Sequence, residues 1–173
     1  MFNKNRRFLI LSIVFTVLSL ALNAFIIYQA CLKGGESSSW SETISVATAE
    51  VINTISPNTI TEANMPDWSS FIRKAIGHFG LFGIDSIVTT LAVYFSIGYS
   101  SFYKHSLGIS LTSSIGVLVA IVTELIQKFT AGRSGEVSDV LIDSAGYLLG
   151  VAIIYLIIML IIRNNRKKAL ARA

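Results

Sequence analysis

Residues 120–150 read AIVTELIQKFTAGRSGEVSDVLIDSAGYLLG, and the fold turns on how this stretch is read. One apolar run ends with Glu124 and Gln127, the next begins with Asp139 and Asp143, and Arg133 sits in a glycine-flanked loop between them. A carboxylate at the centre of a membrane span costs about 2.5–3.5 kcal/mol, and less near its edge. Each of these side chains therefore needs a partner, water or a proton if the two runs are spans.

The rest of the chain makes them spans. Its 173 residues are 53% hydrophobic and only 14% charged, against about a quarter charged in soluble domains. Four stretches, 8–30, 71–94, 107–127 and 137–162, are long and apolar enough to cross about 30 Å of hydrocarbon. Each must be a helix, because a backbone in lipid has no water to bond. The runs are continuous and do not alternate, which excludes a β-barrel. The fold class is thus an all-α integral membrane protein with four transmembrane helices in a compact bundle.

The only cysteine, Cys31, rules out an internal disulfide, and His78 and His105 alone complete no Cys/His zinc signature. Cys31 follows an apolar segment in the order YQAC, but Tyr28 and Gln29 suit lipid attachment poorly, so an unmodified cysteine is expected. The opening NKNRR and its apolar run resemble a signal peptide. The run exceeds the 7–15 residues of such a core, and a retained anchor is the expectation.

Net charge is +4, and its placement sets topology. Lys4, Arg6, Arg7, Lys104 and the five basic residues of the tail RNNRKKALARA fall on one side; Lys33, Arg73, Lys74, Lys128 and Arg133 fall on the other. Both termini are expected to be cytoplasmic, with the tail a stop-transfer anchor that attracts anionic lipid and not a nucleic-acid binder. The expected organisation is a basic N-terminus with the first span (1–30), an external segment (31–70), a three-helix core (71–162) and a basic tail (163–173).

In the external segment, SETISVATAEVINTISP sets Ile44, Ala47, Val51 and Ile55 on one stripe, with Ser41 as a cap and Pro57 as a stop. This predicts a short amphipathic helix on the outer surface. Trp40 and Trp68 flank it as interfacial anchors, and MPDWSS reads as a turn with Asp67 capping the second span.

Each span also carries one small or polar stripe at helical spacing. These are Ser12, Thr16, Ser19 and Asn23; Lys74, His78, Asp85 and Thr89; Ser113, Gly116, Ala120, Glu124 and Gln127; and Asp139, Asp143, Gly146 and Gly150. Such faces turn inward, since polar groups avoid lipid and small residues let backbones approach. At a rise of about 1.5 Å per residue, His78, Glu124, Asp139 and Asp143 share one depth near the outer boundary, while Asp85 lies near mid-membrane. The candidate ligand-binding residues are Arg73, Lys74, His78, Glu124, Gln127, Arg133, Asp139 and Asp143. An ion-pair network that only fixes helix register would use the same residues.

RKAIGHFGLFG, with Arg73, Lys74, His78 and Phe79, resembles the basic-x-x-His-Phe segment of the VanZ-like family of bacterial membrane proteins. The opening stretch resembles that family's second signature through Glu124, Gln127, Gly132, Arg133, Asp139, Gly146 and Gly150. One departure is Asp143, where the family commonly has Asn. The resemblance implies a cell-envelope protein, and the family takes its name from a member linked to low-level resistance to the glycopeptide teicoplanin.

Three functional readings follow. The first is a non-enzymatic binding module whose pocket holds the polar or anionic headgroup of a membrane lipid, a lipid-linked cell-wall precursor or a glycopeptide. Arg133 would be the main anion contact through its planar fork. The second is a membrane-embedded enzyme acting on an envelope lipid, with His78 or Glu124 as general acid or base and the carboxylates holding a hard cation. No nucleophile motif or phosphate loop supports it, and GRSG is too short for a P-loop. The third is a small transporter or flippase, suggested by Asp85, though no internal repeat is visible. No organic cofactor is called for; a metal and homo-oligomerisation are left open.

Overall fold

The computed structural model describes residues 4–97 and 102–171, with side chains described except at 4, 5, 36–38, 40, 102, 103 and 166. The described residues form helices α1 (Lys4–Cys31), α2 (Gly34–Ile55), α3 (Met65–Ile72), α4 (Leu81–Ile97), α5 (Phe102–Phe129) and α6 (Val137–Leu170), with a π-helical segment, Arg73–Gly80, joining α3 to α4. Four continuous helices are long and apolar enough to cross a membrane: 6–31, 65–97, 104–129 and 137–170. These enclose the four stretches read from sequence and extend beyond them.

Helix α4 packs against both α1 and α6, α5 packs against α6, α4 and α1, and α6 also contacts the π segment. The core is Ile26, Phe82, Ala120, Tyr147, Val151 and Tyr155. Leu20, Leu118 and Leu156 point outward and are 60% or more exposed, as a surface solvated by acyl chains requires. Helix α1 is the most peripheral: 6% of its apolar window is buried, against 28% to 33% in the others.

The glycine stripe sets the closest approach. A Cβ on Gly146 would overlap the Phe79 carbonyl, and one on Gly150 would overlap the Ser86 side chain. Gly116 of α5 makes the same allowance for the Tyr147 ring. Small residues thus bring α6 against the second span and α5, the usual arrangement where lipid supplies no hydrophobic drive between helices.

Several local expectations change. Helix α2 begins at Gly34, so Ser41 is not a cap; it lies inside the helix and its carbonyl accepts from Ser45 Oγ. The face of α2 that packs inward, which the sequence leaves open, is built on Ser45 and Ala49, while Val51 and Ile55 of the apolar stripe stay 62% and 81% exposed. MPDWSS is the start of a helix and not a turn. Asn64 holds the N-cap position, Pro66 suits the first turn, and Asp67 lies in that turn without a capping hydrogen bond. Trp68 holds α3 to α2 by donating from Nε1 to Ser45 O and Thr48 Oγ1; the Trp40 side chain lies outside the described residues. Of the α1 stripe Thr16 is exposed, while Ser19 is buried and bonds Thr89 at 2.7 Å.

The π segment was not anticipated. The Leu81 N–H donates to the Ile76 carbonyl five residues back, so the helix is wider here than the i, i+4 spacing assumes. Wide turns of this kind often occur at functional sites, and this one carries Arg73, Lys74 and His78.

Candidate functional site: a charged cluster beside a cavity

The site lies at the end of the bundle closed by the α5–α6 loop. Its centre is His78, 7% exposed. His78 Nδ1 lies 3.0 Å from Asp143 Oδ1 and 3.9 Å from Glu124 Oε1, while Nε2 lies 3.6 Å from Asp139 Oδ2. Three separate spans therefore supply one cluster. Lys74, four residues before His78, places Nζ 3.2 Å from Asp139 Oδ1 and 3.6 Å from Glu136 Oε2.

Glu124 is held by amides. Gln127 Nε2 donates to its Oε1 and the backbone N–H of Glu136 donates to its Oε2, each at 3.0 Å. The loop geometry makes the second bond available: Gly135 lies so close to the Glu124 carbonyl that a Cβ would overlap it, and Gly132 turns the chain at φ +73°, a conformation glycine adopts without penalty. The start of α2 pins this loop, with Gly34 N–H donating to Ala131 O at 3.1 Å.

Beside the cluster is a cavity of about 550 Å³. Arg73, His78, Gln127, Arg133 and Asp143 line its polar part; Phe25, Ile26 and Phe82 are among the apolar walls. Half-buried Arg133 leaves Nε without a hydrogen-bond partner among the described residues. Burial pushes its pKa below the ordinary guanidinium value, Arg73 pushes the same way, and Glu124 and Asp139 oppose them. A guanidinium stays protonated through such a shift, so Arg133 brings a fixed positive charge to the cavity. Gln127 Oε1 and Asp143 Oδ2 are also buried without a partner among the described residues.

All eight residues singled out from sequence thus meet at this end of the bundle. Five line the cavity, and Lys74, Glu124 and Asp139 are held in ion pairs and hydrogen bonds around it. Sequence reasoning missed Glu136, which lies outside the apolar runs and joins through its backbone and Lys74. It also missed the α1 wall, because Phe25 and Ile26 look like any lipid-facing residues; only the position of α1 beside α4 and α5 reveals their role. Asp85 belongs elsewhere: it accepts from Asn23 Nδ2 at 2.9 Å and from Thr89 Oγ1 at 3.3 Å, deeper in the bundle.

Fold and site together define a four-span helical membrane protein with an ionisable cluster opening onto an amphipathic cavity. The family model described as VanZ/LLP1 matches residues 8–160, nearly the whole of this bundle, and the chain belongs to that family. No curated protein and no solved structure matches it.

Proposed function

We propose that this chain is a VanZ-like protein of the bacterial plasma membrane, with both termini cytoplasmic, that captures a polar or anionic headgroup at the outer leaflet. The headgroup is that of a lipid, a lipid-linked wall precursor or a lipophilic glycopeptide, in keeping with the family's general association with teicoplanin resistance. The observation that carries this reading is the cavity itself. It sets the guanidinium of Arg133, whose buried Nε has no partner among the described residues, at one part and aromatic and aliphatic walls at another, which matches the two ends of an amphiphile. Arg133 pairs with phosphate or carboxylate, while Gln127 Oε1 and Asp143 Oδ2 accept hydrogen bonds from sugar hydroxyls or amines. Helix α2, with its exposed Val51 and Ile55, lies along the outer surface and dips this face into the acyl boundary.

Lipid extraction and mass spectrometry of purified protein test the reading. Wild type retains an anionic or wall-precursor lipid that Arg133→Ala loses by about 10- to 100-fold, since a lost charge-assisted hydrogen bond is worth about 1.5–3 kcal/mol. Identical lipid profiles in the two samples would refute it.

A further inference from the structure

We propose that His78, Glu124 and Asp143 form a binding site for a divalent first-row transition-metal ion, Zn²⁺ or Mn²⁺, at the buried edge of the cavity. One imidazole nitrogen and two carboxylate oxygens, drawn from three spans, all lie within 4.8 Å of one another, and all three residues are buried. Metal–ligand bonds of about 2.1 Å bring neighbouring ligands to about 3.0–3.4 Å apart. The separations from His78 Nδ1, 3.0 Å to Asp143 and 3.9 Å to Glu124, bracket that range, so small side-chain rotations complete the site.

The surroundings are those a metal site needs. Lys74 is taken up by Asp139 and Glu136, so within hydrogen-bond and ion-pair distance Glu124 and Asp143 face one imidazole, with Arg133 a further cation on the cavity; a divalent ion adds compensating charge. On the far side of the ring, Asp139 Oδ2 lies 3.6 Å from Nε2, just beyond hydrogen-bond reach, so that a small rotation lets it accept the Nε2–H and leaves the Nδ1 lone pair for the ion. Carboxylates fix metal-binding histidines in this way. Both Glu124 oxygens are oriented by amide donors. Independently of the cluster's own bonds, Gln127, a side chain 5% exposed that lines the same cavity, keeps Oε1 buried with no partner among the described residues and offers a further neutral oxygen. Mixed nitrogen and oxygen donors without sulfur favour Zn²⁺ or Mn²⁺ over the all-oxygen preference of Ca²⁺ and Mg²⁺. The remaining coordination positions face the cavity, where an anionic group can bind the ion directly; the metal site itself does not depend on which headgroup enters.

Chelator-stripped protein in detergent is titrated with Zn²⁺ or Mn²⁺ alone, and retained metal is measured after desalting. Wild type and Asp85→Asn retain about one equivalent, whereas His78→Ala and Asp143→Asn weaken binding about 100-fold or more, since even outer partners of such ligands are worth about 10–100-fold. Pulsed electron paramagnetic resonance of the Mn²⁺-loaded wild type shows nitrogen coupling from the imidazole. That spectrum decides the matter if a variant fails to fold by gel filtration. Metal-free wild type, binding equal in wild type and in folded His78→Ala and Asp143→Asn, or bound Mn²⁺ without nitrogen coupling would each overturn the proposal.

Discussion

The bundle holds two polar networks, and they are built differently. At the loop end, His78, Glu124, Asp139 and Asp143 combine with Lys74 in mixed-charge pairs beside an open cavity that Arg133 also lines. Deeper in, Asp85 is surrounded by neutral donors: Asn23 bridges it to the Ser19 carbonyl, Thr89 bonds both Asp85 and Ser19, and the described ion pairs do not include it. Asp85 is 0% exposed and does not line the cavity. The inner network ties α1 to α4, and its unpaired atoms, Asp85 Oδ2 and Asn23 Oδ1, belong to residues that do not line the cavity; the outer one leaves Arg133 Nε, Gln127 Oε1 and Asp143 Oδ2 unpaired on residues that do. The lesson is that an intramembrane carboxylate does not mark a ligand site by itself; what marks one is unsatisfied polarity next to empty volume.

This contrast can be broken most forcefully through what both networks share, the close approach of α6. Gly146→Leu drives a side chain into the Phe79 backbone and should destabilise the folded protein by about 3 kcal/mol, measured as thermal unfolding in detergent; near-neutral behaviour would mean that the interface relaxes freely. Next in size is Lys74→Met, which removes the cation from buried Asp139. The expected cost is about 1–3 kcal/mol, and a stabilised variant would show that the outer cluster does not need its cation. Asn23→Leu strips the inner carboxylate of its nearest donor and should cost about 1–2 kcal/mol, while isosteric Asp85→Asn, with no cation to orphan, should shift stability by less than about 1 kcal/mol and leave lipid retention unchanged. A loss of bound lipid in Asp85→Asn would merge the two networks into one functional path. The smallest stability effect belongs to Arg133→Ala, within about 0.5 kcal/mol, because its Nε bonds nothing among the described residues; its consequence is read in the retained lipid.

Much of this contrast was legible beforehand. The stripe Asp139, Asp143, Gly146 and Gly150 is wholly buried, as are Gly116, Ala120, Glu124 and Gln127 on α5, because in lipid the cost of exposing polar groups and the benefit of packing small ones point the same way. Prediction fell short where that rule loses its force. On α2 the apolar stripe stays exposed and Ser45 and Ala49 pack inward, so apolar spacing alone does not say which face meets protein. At MPDWSS the turn chemistry of Pro66 and Asp67 suits the first turn of a helix equally well, and continuity with the second span decided between them.

The sequence by itself determined that the chain is helical and membrane-spanning, which faces of α5 and α6 turn inward, and which ionisable residues stand near one depth. These follow from the price of polarity in hydrocarbon, a local property of each helix. Only the tertiary structure decided that His78 meets Glu124, Asp139 and Asp143 while Asp85 pairs with α1, that the π segment aims Lys74 and His78 at α6, and that Phe25 and Ile26 wall the cavity. Those outcomes depend on helix rotation and on the contacts between segments far apart in the chain, and no periodicity along one helix encodes which neighbour its polar face will find.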